Sequence, residues 1–203
     1  DVVFYFGPDE VDLGEDCRAR IERVGFAAHV RESPTSLYVQ AHCPLSRIFQ
    51  EYCGRKADGK RLSAWMLNLE PAQAERLLRA YMAGDGYVYR ENYLRASTVS
   101  EQLALDIAIL ANRIGWKASI CEQDRPAQCV IEGRTVSQLP LWDVLVHTNP
   151  KLRQKVWLEG GYQCGRIREI RRVPFAGVVG NIEVEEDHYY VSPAMTVHNC
   201  HEH

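Results

Sequence analysis

The chain has 203 residues, of which 46% are hydrophobic and 25% charged, and it carries a formal net charge of −3. That balance argues against long disorder and against bulk attraction to nucleic acid, and it allows a buried core in one or two domains. No apolar run approaches the ~20 residues of a membrane span, and Asp1 to Gly14 lacks the basic-then-apolar order of a signal peptide.

VVFYF (Val2 to Phe6) reads as a strand that begins without a Met, as in a fragment of something longer. A helix is expected from about Asp9 to Val24, stopped by Gly25. Ser36 to His42 reads as a strand with Leu37, Val39 and Ala41 on one face, and PLSRIFQEYCG as a short helix between Pro44 and Gly54. Pro71 opens a further helix with Leu77, Leu78, Tyr81 and Met82 at its apolar positions, running into Ala83-Gly84-Asp85-Gly86. Small residues there let two backbones approach, and Asp85 arrives at the carboxy end of the helix, just before a new strand. YLRAST (Tyr93 to Thr98) then leads to a helix with Leu103, Ile107, Leu110 and Ile114 at helical spacing, Ser100 as its cap and Gly115 as its stop.

The strand, helix, Gly, strand order of residues 1–40 recurs at about 87–132. This amounts to one and a half copies of an αββαββα-like unit, with the missing half-copy expected before Asp1. From about Gly160 the helical period disappears and the chain is rich in Val, Ile and Tyr with Gly and Pro punctuation, the pattern of short strands. A domain boundary is expected near Trp157 to Gly161, and the fold class is α+β.

Seven cysteines (17, 43, 53, 121, 129, 164, 200), odd in number and without a C-x-x-C pair, argue against a disulfide framework or zinc ribbon and point to reduced thiols in a cytoplasmic setting. Positive charge is concentrated twice. Arg55, Lys56, Lys60 and Arg61 surround only Asp58, and residues 151–172 hold seven Lys/Arg against two acids. Such patches are commonly solvated faces, and they are also where a phosphate backbone sits.

The carboxy terminus, MTVHNCHEH, carries the chemistry. An asparagine side-chain nitrogen can attack its own carbonyl, closing a succinimide and breaking the following peptide bond. The reaction needs a proton for the leaving amine. His198 is adjacent to Asn199, and His188 lies about ten residues back as a second acid/base. Cys200 is a thiol able to accept an acyl group. A frayed His-containing tail is the plain alternative for an isolated HNC. Zinc binding by His198, Cys200, His201 and His203 has the right ligand types at a spacing too tight for a usual structural site.

Read whole, GNIEVEEDHYYVSPAMTVHNC resembles the carboxy-terminal splicing motifs of inteins at Asn181, Ile182, Val184, His188, Tyr190, Val191, Val197, His198, Asn199 and Cys200. Gly180 stands where that pattern has an aromatic, and Asn181 where Asp is commoner. LRAYMAGDG (Leu78 to Gly86) is in turn similar to the LAGLIDADG nonamer of the homing endonucleases that many inteins carry, with small Ala80 and Gly84 where two such helices cross.

The resemblance implies an endonuclease-like domain over 1–157 without its first motif helix, the β-rich carboxy-terminal segment of a Hint (Hedgehog/intein) splicing domain over 158–199, and the start of the C-extein at 200–203. It implies Asp85 as a Mg²⁺ ligand and Lys60 in GKRL as the active-site lysine; the basic knot around it makes Arg55, Lys56 and Arg61 the candidate DNA contacts. For splicing it implies no cofactor: Asn199 cyclises, Cys200 captures the acyl group, and His198 and His188 move protons, in a single turnover. The implied partners are an amino-terminal intein fragment carrying the first nucleophile, as in a split or cut intein, the flanking exteins and double-stranded DNA, with no membrane. The alternative is a DNA-binding homing endonuclease or its inactive remnant, in which residues 160–203 serve only as structure.

Overall fold

A computed structural model describes residues 1–131, 133–149, 156–159, 162–167, 169–178, 180, 182, 184, 185, 189–191 and 196–198. The chain divides into two compact units, Asp1–Lys56 and Ala57–His203.

The first unit comprises β1 (Val2–Phe6), α1 (Val11–Arg23), β2 (Ala28–Ser33), β3 (Ser36–Ala41) and α2 (Leu45–Cys53), with an antiparallel sheet in the order β1-β3-β2. The pleat sends alternate residues to opposite faces, so Leu37, Val39 and Ala41 all point one way and are sealed from solvent. α1 lays Cys17 and Ile21 against this core, while its outer face pairs Arg18 with Glu15 and Glu22, and Arg20 with Asp16. The helix ends where Gly25 takes a φ of 91°, a left-handed conformation open to glycine. β2 is not legible in the sequence because only Ala28 and Val30 of AHVRES face the core. Its pairing with β3 comes from a two-residue turn at Pro34-Thr35, braced by Ser33 Oγ donating to the Ser36 carbonyl at 3.0 Å.

In the second unit α3 (Ala64–Leu67) and α4 (Pro71–Gly84) precede the hairpin β4 (Gly86–Arg90) and β5 (Tyr93–Thr98). There follow α5 (Glu101–Arg113), β6 (Lys117–Gln123), the separate hairpin β7 (Gln128–Ile131) and β8 (Arg134–Ser137), and β9 (Leu141–His147). The main sheet is antiparallel in the order β4-β5-β9-β6. Ala74, Leu78 and Met82 of α4 and Leu103, Ala104, Ile107, Leu110 and Ala111 of α5 bury against Ala96, Val144 and Val146 of the sheet. Ser100 caps α5 as its sequence position predicts, accepting from the Leu103 N–H at 3.2 Å. β9 escapes the sequence reading because LWDVLVH lies in mid-sheet with Asp143, Val144, Val146 and His147 all buried, which erases the alternation that marks a half-exposed strand.

The tight passage expected around Ala83-Gly84-Asp85-Gly86 is real at one glycine. A Cβ on Gly86 would stand 2.8 Å from the Met82 carbonyl oxygen and 2.9 Å from that of Arg95, whereas one on Gly84 meets nothing within 4 Å. Gly86→Ala is therefore expected to destabilise by about 1–3 kcal/mol, as overpacking does, and Gly84→Ala by no more than about 0.5 kcal/mol, both read as shifts in urea midpoint.

Beyond β9 lie two small hairpins, β10 (Val156–Glu159) with β11 (Tyr162–Gly165), and β12 (Tyr189–Val191) with β13 (Thr196–His198). The strands expected throughout the segment after Gly160 are only partly present: no described residue from 166 to 185 is in a strand. Ile167, Ile170, Val173, Phe175, Val178 and Ile182 are exposed there. A strand needs a neighbour to take its N–H and C=O groups, and no described segment pairs with this one. Among the described residues no helix is long and apolar enough to cross a membrane.

Candidate functional site

Asp85 sits at the C-cap of α4, its own N–H donating to the Tyr81 carbonyl at 2.9 Å. Last-turn carbonyls of a helix lack intrahelical donors and form its negative end. The Asp85 carboxylate, more than half exposed, adds to that field, and Lys60 Nζ stands 3.7 Å from its Oδ2. One turn back, burial and, secondarily, the Asp85 charge push the Tyr81 phenol up to about 12, so it stays protonated at neutral pH. An ion pair this exposed contributes roughly 0–1 kcal/mol to stability, so its interest is chemical.

The chain runs from Asp85 directly into β4, the edge of the four-stranded sheet. Helices cover one face of that sheet. By strand alternation the other face carries Tyr87, Arg95, Ser97, Ser119, Cys121, Gln123, Asp143 and Leu145. Asp143 is the hub of this face: Arg95, Gln123 and Ser97 all donate to its carboxylate, Ser97 at 2.5 Å. Burial pushes the Asp143 carboxyl up, but the three hydrogen bonds and the Arg95 charge outweigh it and hold the group below the ordinary carboxylate value. The pairing with Asp143 keeps the Arg95 guanidinium charged, and its outer side lies 5.8 Å from the Tyr89 ring. Arg90 stacks on the same ring at 5.0 Å. A fixed guanidinium flanked by amide, hydroxyl and aromatic groups is suited to bidentate hydrogen-bonding partners such as base edges and phosphates.

Lys60 and Asp85 lie side by side, Nζ 3.7 Å from Oδ2. Arg55 and Lys56 are exposed at the end of the first unit, while Arg61 is exposed in the second, so the basic knot of the sequence is divided between the two. His198 lies in β13 opposite Tyr189. His188, Asn199 and Cys200 lie outside the described residues. The sequence reading missed Arg95, Ser97, Gln123 and Asp143. A signal was present in YLRAST, where Arg95 and Ser97 alternate with Leu94 and Ala96, but their partner Asp143 is 46 and 48 residues away and meets them only through the β5–β9 register.

Among the described residues no cluster of three His, Cys, Asp or Glu side chains can hold a metal. Mg²⁺ asks less, since it ordinarily takes one or two carboxylates and completes its octahedron with waters and substrate phosphates. Asp85, a hard oxygen ligand at the negative end of a helix, fits one share of such a site.

Residues 72–138, which contain α4 from its second residue, match the model of the LAGLIDADG-like domain. Over 173 residues the chain is 31% identical to the ATP-dependent DNA helicase Hel308 of Thermococcus kodakarensis, an alignment covering 74% of this chain and 15% of that protein. It is 26% identical over 223 residues to an iron-sulfur cluster assembly SufBD family protein of Mycobacterium tuberculosis, covering 98% of this chain and 24% of that protein. It is 34% identical over 71 residues to a DNA polymerase of Thermococcus kodakarensis, covering 35% and 4%. The chain thus spans about a quarter or less of the curated relatives it matches. Its fold is similar to that of a variant of the homing endonuclease I-DmoI, with a TM-score of 0.50 at 10% identity over 71% of this chain and 72% of that one. Residues 72–138 thus match a LAGLIDADG-like domain, and the chain shares an α+β fold with that solved structure.

Proposed function

We propose that the chain binds double-stranded DNA through the face of the β4-β5-β9-β6 sheet opposite α4 and α5, and that Asp85 supplies one of two acids in a Mg²⁺-dependent site for phosphodiester hydrolysis. The observation that carries this reading is the delivery of Asp85, paired with Lys60, at the edge of a sheet face built from Arg95, Tyr89, Gln123 and Ser97. Mg²⁺ held there would supply Lewis-acid activation of the phosphate. Lys60 carries a positive charge beside the scissile group, and Arg95 fixes the register of the duplex. The second acid belongs to a second motif helix, for which exposed Ala80, Ala83 and Gly84 on α4 offer a close-packing face.

The test is fluorescence anisotropy of the full chain with a mixed duplex pool across salt concentrations. Binding should weaken with salt by about 0.9 log units per log unit of salt for each phosphate neutralised. Arg95→Glu should cost roughly 10- to 100-fold, the scale of one good base-edge contact. Salt-independent binding, or unchanged affinity in Arg95→Glu, would remove the DNA reading.

A second reading has its own support. This segment aligns with parts of a DNA helicase, an iron-sulfur assembly protein and a DNA polymerase, three proteins with different named activities. A module shared across such hosts at a small fraction of each length is what an inserted, self-excising element leaves behind. We take residues 1–157 as the endonuclease-like insertion, 158–199 as the carboxy-terminal part of a splicing domain and 200–203 as extein. His198 in β13, facing Tyr189, brings a proton carrier next to Asn199 in sequence and across from the strand that follows His188. The exposed Ile167, Ile170, Val173, Phe175, Val178 and Ile182 fit a segment completed by strands of an amino-terminal intein fragment.

A further inference from the structure

Asp106 is a carboxylate on the core side of α5, 1% exposed, and Ser100 at the cap of the same helix is equally buried. Neither serves the helix alone. Asp106 Oδ2 accepts the Leu62 N–H at 2.7 Å while its Oδ1 accepts from Gln102 Nε2 at 2.8 Å. Ser100 Oγ accepts the Leu103 N–H, and donates to the Lys60 carbonyl at 2.6 Å. The backbone on both sides of Arg61 is thereby tied to the first turns of α5, and Lys60 leaves this tether to reach Asp85.

Burying a carboxylate is costly, and an apolar side chain of similar size at 106 would pack among Leu103, Ile107 and Leu110 without that cost. The exposed Lys60–Asp85 pair adds too little stability to account for the arrangement. We infer that Ser100 and Asp106 are positioning residues that hold Lys60 against Asp85. The consequence for catalysis rests on the nuclease reading, whereas the placement itself does not.

The experiment is zero-length crosslinking of the full chain with a carbodiimide. The reagent activates the Asp85 carboxyl, Lys60 Nζ displaces the urea, and an amide forms between the two side chains, quantified by peptide mass spectrometry. Asp85→Asn sets the blank. Ser100→Ala and Asp106→Ala, each checked for native far-UV circular dichroism, are expected to lower the yield at least fivefold. Asp106→Asn should restore it, because the amide oxygen still accepts from Leu62 N–H and its nitrogen can donate to a flipped Gln102. A purely structural role would lower the melting temperature of these variants and leave the crosslink of the folded protein unmoved. Yields within twofold of the parent in folded Ser100→Ala and Asp106→Ala overturn the inference, and where Asp106→Ala does not fold, Ser100→Ala decides. In the assembled nuclease the same variants should lower kcat at unchanged KM for DNA, so absence of any cleavage defeats the nuclease reading while the crosslink still reports the placement.

Discussion

Asp85→Asn is expected to abolish metal-dependent strand cleavage, once the chain is joined to a second motif helix, while leaving DNA affinity in the absence of metal unchanged or slightly improved. The substitution keeps shape and volume at the α4 C-cap and removes one charge. Mg²⁺ with one or two protein carboxylates cannot lose one cheaply, and the Lewis-acid contribution is several kcal/mol, which corresponds to roughly 10²–10⁴-fold in rate. The affinity has the opposite sign. Asp85 is exposed beside the proposed path of a polyanion, so neutralising it removes a repulsion. Plasmid nicking with Mg²⁺ and anisotropy in a chelator separate the two effects. A variant that cleaves at the parental rate places the chemistry elsewhere, and one that loses both binding and cleavage would mean Asp85 is structural.

The sequence exposes Asp85 readily because the groups around it are local. Pro71 starts α4, its apolar period fixes which side is buried, and Gly86 forces the close passage that turns the chain into β4. The same local signals yield α1, β3 and α5 with their glycine stops at 25 and 115. What is not legible depends on partners far along the chain. β9 has no alternation because Asp143, Val144, Val146 and His147 are all buried in mid-sheet, and β2 is a strand only because a Pro34-Thr35 turn folds it onto β3. Arg95 looks like an ordinary surface arginine until the register sets it against Asp143. Lys60 is called by its motif, but the atoms that hold it, Ser100 and Asp106, are 40 and more residues away. Conversely, the segment from 166 to 185 has the Val- and Ile-rich composition of strands, yet none of its described residues is paired in one. Local pattern states a preference, and hydrogen-bond partners decide whether it is realised.

Asn199→Ala is expected to eliminate the cyclic imide outright when the chain is reconstituted with an amino-terminal intein fragment. Alanine has no side-chain nitrogen, so no bond to the residue 199 carbonyl can form and the peptide bond to Cys200 cannot break by this route; the loss is complete rather than graded. Cys200→Ala acts one step apart: it removes the acyl acceptor, so ligation of the flanking segments stops while scission after Asn199 continues. His198→Ala leaves both reacting groups in place and removes a proton carrier, a deficit of roughly 10²–10⁴-fold. Three variants of neighbouring residues thus give three different product patterns in one mass spectrum: no imide, imide without ligation, and slow imide. The endonuclease alternative, in which residues 160–203 are only structural, predicts instead that all three spectra match the parent's. If scission after residue 199 proceeds in Asn199→Ala at the parental rate, the break is ordinary hydrolysis or proteolysis and the splicing reading falls, with the DNA-binding sheet and Asp85 untouched by that result.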